Sequence, residues 1–254
     1  MRIFITGSTE GLGRAAAVTL LDDGHEVVLH ARNASRAADL GDLTARAAGV
    51  VTGDLASARE THALAEQVNA IGRMDAVIHN AGVYVEPTRG ATPEGHARTL
   101  AVNVLAPYVL TAEIERPHRL IYISSDMHAS GDASLRDIDW TARPWDGVQA
   151  YCDSKLFVAG LGFAVARHWP DVRTNVVDPG WVPTRMGGPR ATDDLALGHV
   201  TQAWLAVSDE PDATDTGAYW YHRARQAPAA AVADPGFQAA LLEELSRLAG
   251  VDLP

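Results

Sequence analysis

The sequence has few of the residues that cross-link a chain or anchor it in a membrane. Cys152 is the only cysteine among 254 residues, which excludes an internal disulfide and is typical of a reducing compartment. No apolar run approaches the length that spans a bilayer, and the N-terminus lacks the basic region and cleavage site of a signal peptide. These absences predict a cytoplasmic protein that does not enter a membrane.

Lysine is as scarce as cysteine. The 21 basic residues comprise 20 arginines and Lys155 alone, and 32 acidic residues bring the net charge to −11. Without a long basic run, a nucleic-acid surface is not expected. The histidines form no H-E-x-x-H or comparable cluster, so no metal site is predicted. The single lysine lies four residues after Tyr151. Because every other basic residue is arginine, we expect Lys155 to have a role that an arginine could not fill.

Short apolar runs alternate along the chain with longer segments rich in alanine, leucine and arginine. Near-continuous apolar runs are typical of parallel strands that helices cover on both faces. Strands are predicted at 2–6, 26–30, 49–53, 76–79, 119–124 and 173–177, and helices at 13–21, 36–46, 60–71, 94–115, 154–169 and 236–248. This alternation predicts an α/β fold, a doubly wound parallel sheet in a single domain with helices on both faces.

A glycine-rich turn follows the first predicted strand and precedes a helix. Its three glycines would permit a tight turn, close approach of a pyrophosphate to the backbone, and close packing of the helix on the strand. The free N–H groups at the helix start would face the same anion. The order strand–turn–helix therefore predicts a dinucleotide site formed by Gly7, Ser8, Thr9, Gly11, Leu12 and Gly13.

The pattern T-G-x-x-x-G-x-G resembles the glycine motif of the short-chain dehydrogenase/reductase family. Other motifs of that family follow in its order as far as about residue 222: Asn80-Ala81-Gly82 with His79 in front, Ser124-Ser125, Tyr151 with Lys155, and Pro179-Gly180 with Thr184. The serine pair followed by His128, and the long segment after it, resemble the branch of retinol dehydrogenases and bacterial carbonyl reductases. The resemblance implies a Rossmann fold.

Cofactor preference is predicted from Ala31 and Arg32, which end the second strand with no acid nearby. A free ribose 2′-hydroxyl favours a carboxylate at this place, whereas a 2′-phosphate favours arginine. The resemblance therefore implies NADP(H), although the carboxylate of Glu10 would repel the phosphate. Further cofactor contacts that the resemblance implies are Asp54, Leu55, Asn80, Ala81, Gly82, Tyr151, Lys155, Pro179, Gly180, Val182 and Thr184.

Tyr151 and Lys155 would share one face of a helix, because residues four apart lie on the same side. A tyrosine hydroxyl has a pKa of about 10, and a nearby ammonium lowers it towards the range useful for proton transfer. The resemblance implies that Tyr151 is the catalytic acid or base and that Lys155 assists it. It also implies that Ser125 orients a carbonyl, with Ser124 as the alternative, and that Asn103 holds a water of a proton relay.

Two regions depart from the shortest family pattern. The 26 positions from Ser125 to Tyr151 contain Trp140 and Trp145, which would either pack the segment onto the body or contact substrate. The loop 181–197 follows a strand and should cover the substrate, and its apolar residues predict an apolar wall.

Residues 1–222, including the substrate loop, form the predicted NADP-binding domain, and residues 223–254 a C-terminal extension in which 224–233 is interpreted as a linker. The helix at 155–169 is apolar almost all round, whereas a helix with one face on a sheet should not be. A second copy of the chain in a homodimer, or the C-terminal extension, would explain this, and the sequence leaves both open.

The sequence thus predicts an NADPH-dependent oxidoreductase that reduces a bulky apolar aldehyde or ketone to an alcohol, or catalyses the reverse. Its predicted partner is a small carbonyl or alcohol. One alternative is an epimerase or dehydratase acting on a nucleotide sugar, although such proteins usually have a longer chain. The other is a non-catalytic NADP-binding regulator, although these often lose the tyrosine and lysine that this chain keeps.

Overall fold

The computed structural model describes residues 1–254 and contains one eight-stranded sheet with the strand order β3-β2-β1-β4-β5-β6-β7-β8. The strands are β1 (Arg2–Ile5), β2 (Glu26–Ala31), β3 (Gly49–Thr52), β4 (Ala76–His79), β5 (Arg119–Ile123), β6 (Arg173–Asp178), β7 (Ala218–Tyr221) and β8 (Ala224–Gln226). The first seven are parallel, and β8 runs antiparallel to β7. The predicted doubly wound α/β fold is confirmed.

Ten helices surround this sheet. They are α1 (Gly11–Asp22), α2 (Ala34–Ala38), α3 (Leu43–Arg46), α4 (Ala58–Ile71), α5 (Arg98–Leu100), α6 (Ala106–Glu113), α7 (Gly147–His168), α8 (Val200–Val207), α9 (Ala230–Ala233) and α10 (Pro235–Ala249). A π-helical turn, Ala101–Leu105, joins α5 to α6, and short 3₁₀ turns lie at Asp126–Ser130 and Pro211–Thr214. None of the helices combines the length and the apolar character needed to cross a membrane.

The side chains of β1 show how the sheet divides the core in two. Phe4 belongs to the apolar cluster that includes residues of α4, α6, α7 and α10. Ile3 and Ile5 point to the opposite face and belong to the cluster that includes residues of α1 and α8. Successive strand residues alternate between faces, so both faces of the sheet are covered by helices, as parallel sheets require.

Several predicted boundaries are wrong for local reasons. The helix predicted at 36–46 is two short helices, because Gly41 between them has the left-handed φ of 56° that ends an α-helix. The helix predicted from 94 begins at Arg98, after Gly95 with a φ of 91°. The helix predicted from 154 begins at Gly147, where the Asp146 carboxylate accepts hydrogen bonds from two free N–H groups.

The C-terminal segment adds to the same sheet and covers α7. Residues 224–233 contain β8 and α9 where a linker was predicted, and α10 packs on α7 with the Phe157 and Phe237 rings stacked at 6.4 Å. A Cβ on Gly160 would lie 2.8 Å from Phe237 Cε1, so the two helices touch closely. The C-terminal segment therefore supplies the cover that the apolar character of α7 requires, at roughly 2 kcal/mol for each large apolar side chain that is fully buried.

The long segment before α7 is fixed by a buried carboxylate. Asp153 is 1% exposed and accepts hydrogen bonds from Arg143 Nη2 at 2.8 Å, Gln149 Nε2 at 2.8 Å and the Asp132 N–H at 2.8 Å. The Arg143 guanidinium also lies 3.5 Å over the ring of the buried Trp140. Asp153 thus anchors both ends of the segment to α7.

The two tryptophans of this segment contact each other edge to face at 5.5 Å. Trp145 is half-buried, and its Nε1 donates a hydrogen bond to the Glu86 carbonyl oxygen at 2.9 Å. Of the two interpretations of Trp140 and Trp145, the structure therefore shows packing onto the body.

Candidate active site

The glycine-rich turn lies at the carboxyl end of β1, and its shape depends on missing side chains. Gly7 and Gly11 have φ of 67° and 57°, the left-handed region that favours glycine. A Cβ on Gly13 would lie 2.3 Å from the Gly7 carbonyl oxygen and 2.4 Å from Asn80 Nδ2. Asn80 is held there by donating to the Thr6 carbonyl oxygen at 2.9 Å. The turn therefore presents backbone at the start of α1, a geometry that fits a pyrophosphate.

His30 supports this turn from β2, a role that the sequence did not reveal. The Gly7 N–H donates to His30 Nδ1 at 2.9 Å, so Nε2 carries the ring proton and donates to the Gly53 carbonyl oxygen at 2.9 Å. His30 is 3% exposed, and burial lowers its pKa. Its neutral ring therefore ties the ends of β1, β2 and β3 together. A polar residue inside the apolar run of β2 was the one available signal.

Arginines gather beside the turn, where the ribose end of a dinucleotide would lie. Arg32 is exposed just after β2. Arg36 on α2, which the sequence reasoning missed, donates to Thr9 Oγ1 at 3.3 Å and pairs with Glu10 at 3.1 Å. Arg185 approaches the same Glu10 carboxylate at 3.8 Å. The negative charge that argued against a 2′-phosphate is therefore balanced by two arginines.

The turn after β3 contains the predicted contacts Asp54 and Leu55. Leu55 is buried, and Asp54 Oδ1 accepts a hydrogen bond from the Ala56 N–H at 3.0 Å. A cleft of about 340 Å³ lies beside Asp54 and is otherwise lined by Ala56, Ser57, Arg59, Glu60, Pro93 and Glu94. The structure thus places Asp54 next to an open cleft at the carboxyl edge of the sheet, whereas the side chain of Leu55 packs in the core.

Tyr151 and Lys155 lie on one face of α7 near the end of β5. Lys155 Nζ donates to the Ile123 carbonyl oxygen at 3.0 Å and lies 5.5 Å from the centre of the Tyr151 ring. Burial lowers the pKa of Lys155 from 10.5 to about 8, and the charge of Asp178 opposes this shift. A lysine whose ammonium form is this costly to bury changes its charge close to neutral pH.

The expected lowering of the Tyr151 pKa is not found in the protein alone. Burial raises the pKa of Tyr151 above its usual value of 10, and the neighbouring Ser125 hydroxyl opposes the rise only in part. Desolvation of the phenolate therefore outweighs the nearby ammonium. The sequence could supply the spacing of the pair but not the depth at which it lies.

The two serines that follow β5 have different surroundings. Ser124 is buried, and its hydroxyl donates to the Lys155 carbonyl oxygen at 2.9 Å. Ser125 is partly exposed, donates to Asp126 Oδ1 at 3.0 Å and lies close enough to Tyr151 to influence its pKa. Of the predicted residue and its alternative, Ser125 is the one whose hydroxyl lies beside Tyr151.

Asn103 lies in the π-helical turn, and its side-chain amide is fully used. Its Nδ2 donates to the Val83 carbonyl oxygen at 3.0 Å and to Ser154 Oγ at 2.9 Å, and its Oδ1 accepts from the Val83 N–H at 2.8 Å. A Cβ on Gly82 would lie 3.3 Å from Asn103 Oδ1 and 3.6 Å from Lys155 Nζ. Asn103, Gly82, the neighbouring Ala81 and Lys155 therefore meet at one point.

The segment after β6 turns back to the glycine-rich turn. Asp178 Oδ1 accepts from the Gly180 N–H at 2.9 Å, beyond Pro179, and Val182 is buried. The methyl group of Thr184 lies 3.8 Å from the position that a Cβ on Gly11 would take. The residues predicted here thus lie against the cofactor side of the site.

An apolar rim surrounds the tyrosine. Apart from Met1, every exposed large apolar side chain lies in loops at this edge or at the start of α7: Tyr84, Val148, Trp181, Met186, Leu195 and Leu197. Tyr84 contacts the Tyr151 ring edge to face at 4.8 Å. The apolar wall expected of the loop 181–197 is therefore extended by Tyr84 and Val148, which the sequence reasoning missed.

Comparison with known proteins assigns the chain to a family. The profile of a family described as enoyl-(acyl carrier protein) reductase matches residues 7–211. Short-chain dehydrogenase chry4 of Gibberella zeae is 40% identical over 100% of this chain and 98% of its own. DnrU of a Streptomyces species, named for daunorubicin C-13 ketoreductase activity, is 33% identical over 98% of this chain and 92% of its own.

A solved structure supports the same assignment. The blue fluorescent protein from a metagenomic library, crystallised with NADPH, is 26% identical with a TM-score of 0.68, over 87% of this chain and 95% of its own. Together with the matched profile and the full-length relative, the glycine-rich turn and the Tyr151–Lys155 pair assign the chain. It belongs to the short-chain dehydrogenase/reductase family, whose members are oxidoreductases that use a nicotinamide cofactor.

Proposed function

We propose that the protein is an NADP(H)-dependent carbonyl reductase that converts a bulky apolar aldehyde or ketone to the alcohol, or catalyses the reverse. One observation carries this proposal. Tyr151 and Ser125 lie next to each other at the carboxyl edge of the sheet, with Tyr84 against the tyrosine ring and Lys155 beside it. A carbonyl oxygen between the two hydroxyls would receive two donors, which is what a developing alkoxide requires.

The residues present fit a nicotinamide dinucleotide. The turn formed by Gly7, Gly11 and Gly13 is packed so closely that a Cβ at Gly13 has no room, and it presents bare backbone at the start of α1. Pro179, Gly180, Val182 and Thr184 would lie along the nicotinamide half, and Asp54 and Leu55 near the adenine. When bound, this cofactor supplies the hydride, or accepts it in the reverse direction. All other chemistry belongs to side chains of this chain.

Tyr151 would give its proton to the substrate oxygen as the carbon is reduced. Its raised pKa keeps the hydroxyl protonated at neutral pH, so it is ready to donate. Lys155 would stabilise the phenolate that remains and bind the ribose, since its Nζ keeps two donors besides the one given to Ile123. Ser125 would orient the carbonyl, and Asn103 would hold Val83 and Ser154 so that a water of the proton relay finds a fixed site.

Arginine chemistry supports the choice of NADP(H) over NAD(H). Arg32 is exposed at the end of β2, and Arg36 lies one helical turn along, so a 2′-phosphate would meet two guanidinium groups. No carboxylate takes the place next to Arg32 where a ribose hydroxyl would be bound. Glu10 is paired with Arg36, so the negative charge of the Glu10 carboxylate is already balanced by a guanidinium and would repel a bound phosphate less.

The apolar rim supports a bulky substrate. Trp181 is 49% exposed and Tyr84 is 40% exposed, although large apolar side chains are normally covered. A planar or branched apolar ketone would cover them on binding. The name of DnrU points to a ketone on a large aromatic molecule as the substrate of that relative.

Turnover by the variant Tyr151→Phe tests the proposal. Aldehydes and ketones of graded size are offered with NADPH or NADH, and cofactor oxidation is followed for the wild type and the variant. We expect NADPH oxidation with bulky ketones, and loss of at least about 1,000-fold in kcat for Tyr151→Phe, because general acid catalysis contributes about 10²–10⁴-fold. NADPH affinity should stay within about twofold, since the phenol hydroxyl adds little to cofactor binding.

Three results would contradict parts of this proposal separately. Full activity of Tyr151→Phe would remove the tyrosine mechanism. A clear preference for NADH would overturn the role of Arg32. NADPH binding by the wild type without reduction of any carbonyl would favour the non-catalytic regulator.

A further inference from the structure

His128 follows the serine pair by three residues and is buried beneath the site rather than in it. It is 5% exposed, and its ring stacks on Tyr219 of β7 at 4.6 Å. Its Nδ1 lies 2.7 Å from the Ser125 carbonyl oxygen, and its Nε2 lies 3.0 Å from the Ala229 backbone nitrogen. Both ring nitrogens are thus engaged, so the imidazole has no free position with which to exchange a proton with a substrate.

The partners define the tautomer of His128. A backbone N–H only donates, so Ala229 makes Nε2 the acceptor, and Nδ1 carries the ring proton. A carbonyl oxygen only accepts, so the Nδ1–H donates to Ser125. The Tyr219 hydroxyl also donates to the Ser125 carbonyl oxygen at 2.9 Å. Two side-chain donors therefore hold the peptide plane that follows Ser125.

This contact joins regions that are far apart in the chain. Tyr219 and Ala229 both lie beyond residue 211, where the family profile ends. Ala229 immediately precedes α9, and Val232 of α9 is fully buried in the core cluster that contains residues of α7. The hydrogen bond between His128 and Ala229 thus connects the backbone of Ser125 to the C-terminal segment.

We propose that His128 is a positioning residue through which the C-terminal segment sets the orientation of the Ser125 hydroxyl towards Tyr151. This inference rests on the proposed function. Fixing the Ser125 carbonyl holds the backbone of that residue in place, and thereby the point from which its hydroxyl reaches towards Tyr151. A misplacement on the order of 1 Å at a reacting group costs up to about 100-fold in rate, so a residue that touches no substrate controls kcat.

Two substitutions each remove one of the two hydrogen bonds that the His128 ring makes, to Ser125 and to Ala229. In His128→Asn, the amide nitrogen takes the place of Nδ1, so the donor to Ser125 is kept and the acceptor for Ala229 is lost. In His128→Gln, the amide reaches the place of Nε2, so the acceptor is kept and the donor is lost. Glutamine keeps one methylene more than asparagine, so loss of packing affects His128→Asn more and would not explain a larger loss of kcat in His128→Gln.

The readouts are kcat, KM and the NADPH dissociation constant, with Tyr151→Phe measured alongside. We expect His128→Gln to lose about tenfold in kcat with KM and NADPH affinity within about twofold, and His128→Asn, which loses only the bond to Ala229, to lose about threefold. Equal losses in both variants, or a wild-type kcat in His128→Gln, would overturn the positioning role. If the wild type is active and Tyr151→Phe is inactive, that failure concerns His128 alone. An inactive wild type would remove the proposed function and this inference together.

Ala229→Pro provides a second route if the histidine variants do not fold. Residue 229 has a φ of −53°, which proline adopts readily, and the substitution removes only the N–H that His128 accepts. We expect a fall of about threefold or more in kcat at a site that this residue does not touch. A wild-type kcat in this variant would show that the C-terminal segment does not act on Ser125.

Discussion

The carboxyl edge of the sheet is constructed differently at its two ends. At the ends of β1 to β3, the site is made of backbone, and its shape depends on side chains that are missing at Gly7, Gly11 and Gly13. At the ends of β5 to β7, the site is made of side chains whose positions depend on contacts with distant residues. One such contact is the hydrogen bond from the Tyr219 hydroxyl to the Ser125 carbonyl oxygen, between residues that are 94 positions apart in the chain. Substitutions that add atoms are therefore expected to disturb the glycine end of the site. Substitutions that remove side-chain atoms are expected to disturb the other end.

The strongest test of the side-chain end is Asp153→Ala. Loss of this buried carboxylate leaves Arg143 with only its longer contact to Asp137 at 3.8 Å and frees the segment 126–150 from α7, so we expect the free energy of unfolding to fall by about 3 kcal/mol. Chemical denaturation measures the change. Asp22→Ala, which removes a partner from the exposed pair with Arg46, is the control and should change stability by less than about 1 kcal/mol. Similar losses in both variants would contradict the anchoring role of Asp153.

The backbone end is tested by one added methyl group. Gly13→Ala places a Cβ against the Gly7 carbonyl oxygen, so the turn must widen, at a cost of about 1–3 kcal/mol. We expect NADPH affinity, measured by titration of cofactor fluorescence, to fall roughly 5- to 100-fold. In Gly236→Ala, the new Cβ would meet Asp234 at the ordinary distance of 3.5 Å, and affinity should be unchanged. A wild-type affinity in Gly13→Ala would show that the cradle is not tight.

The apolar rim is expected to act on substrate size and not on the chemistry. Trp181→Ala removes the largest exposed apolar side chain, so KM for a bulky ketone should rise about tenfold, in line with about 1–3 kcal/mol for a lost apolar contact. KM for a small ketone is the internal control and should stay within about twofold. An equal rise for both substrates would place Trp181 in the support of the loop and not in recognition.

The smallest expected effect is the pH dependence of stability caused by Lys155. Burial lowers its pKa from 10.5 to about 8, so between these values the unfolded chain binds the proton that the folded chain has released. Stability of the folded protein therefore rises with pH in this window, by about 1 kcal/mol from pH 8 to pH 9. The difference in unfolding free energy between the wild type and Lys155→Met isolates this lysine from the buried tyrosines. A flat difference would contradict the lowered pKa.

Motifs whose residues are close in sequence could be predicted, and contacts between distant segments could not. The glycines, the serine pair and the spacing of Tyr151 and Lys155 each lie within eight residues, so local patterns locate them. His30, His128 and Asp153 act through residues 10 to 101 positions away. Hydrophobic periodicity says that a residue is buried but not which backbone group it meets. For the same reason the raised pKa of Tyr151, which depends on burial depth, was not foreseen.

The strands β7 and β8 were missed for a different reason. β8 is three residues long and fully exposed, so it produces no apolar run, whereas β7 is a buried apolar run of four residues that was not distinguished from the segment around it. The register of β7 against β6 is supported by Asn175, whose Oδ1 accepts from Trp220 Nε1 at 3.1 Å and from the Ala218 N–H at 3.1 Å. The buried Asn175 of β6 therefore has its hydrogen-bond partners on the neighbouring strand β7. The sequence alone does not show where those partners lie.

The cover of α7 by α10 has a consequence for the order in which the protein is made. Helix α7 carries Tyr151 and Lys155, yet its outer face stays open until the ribosome has added α9 and α10. At about 5–20 residues per second, that interval is on the order of 10 s. A nascent chain therefore exposes an apolar helix for seconds after the residues of its catalytic pair have emerged, which makes this interval the step at which newly synthesised molecules would stick to one another or need a chaperone.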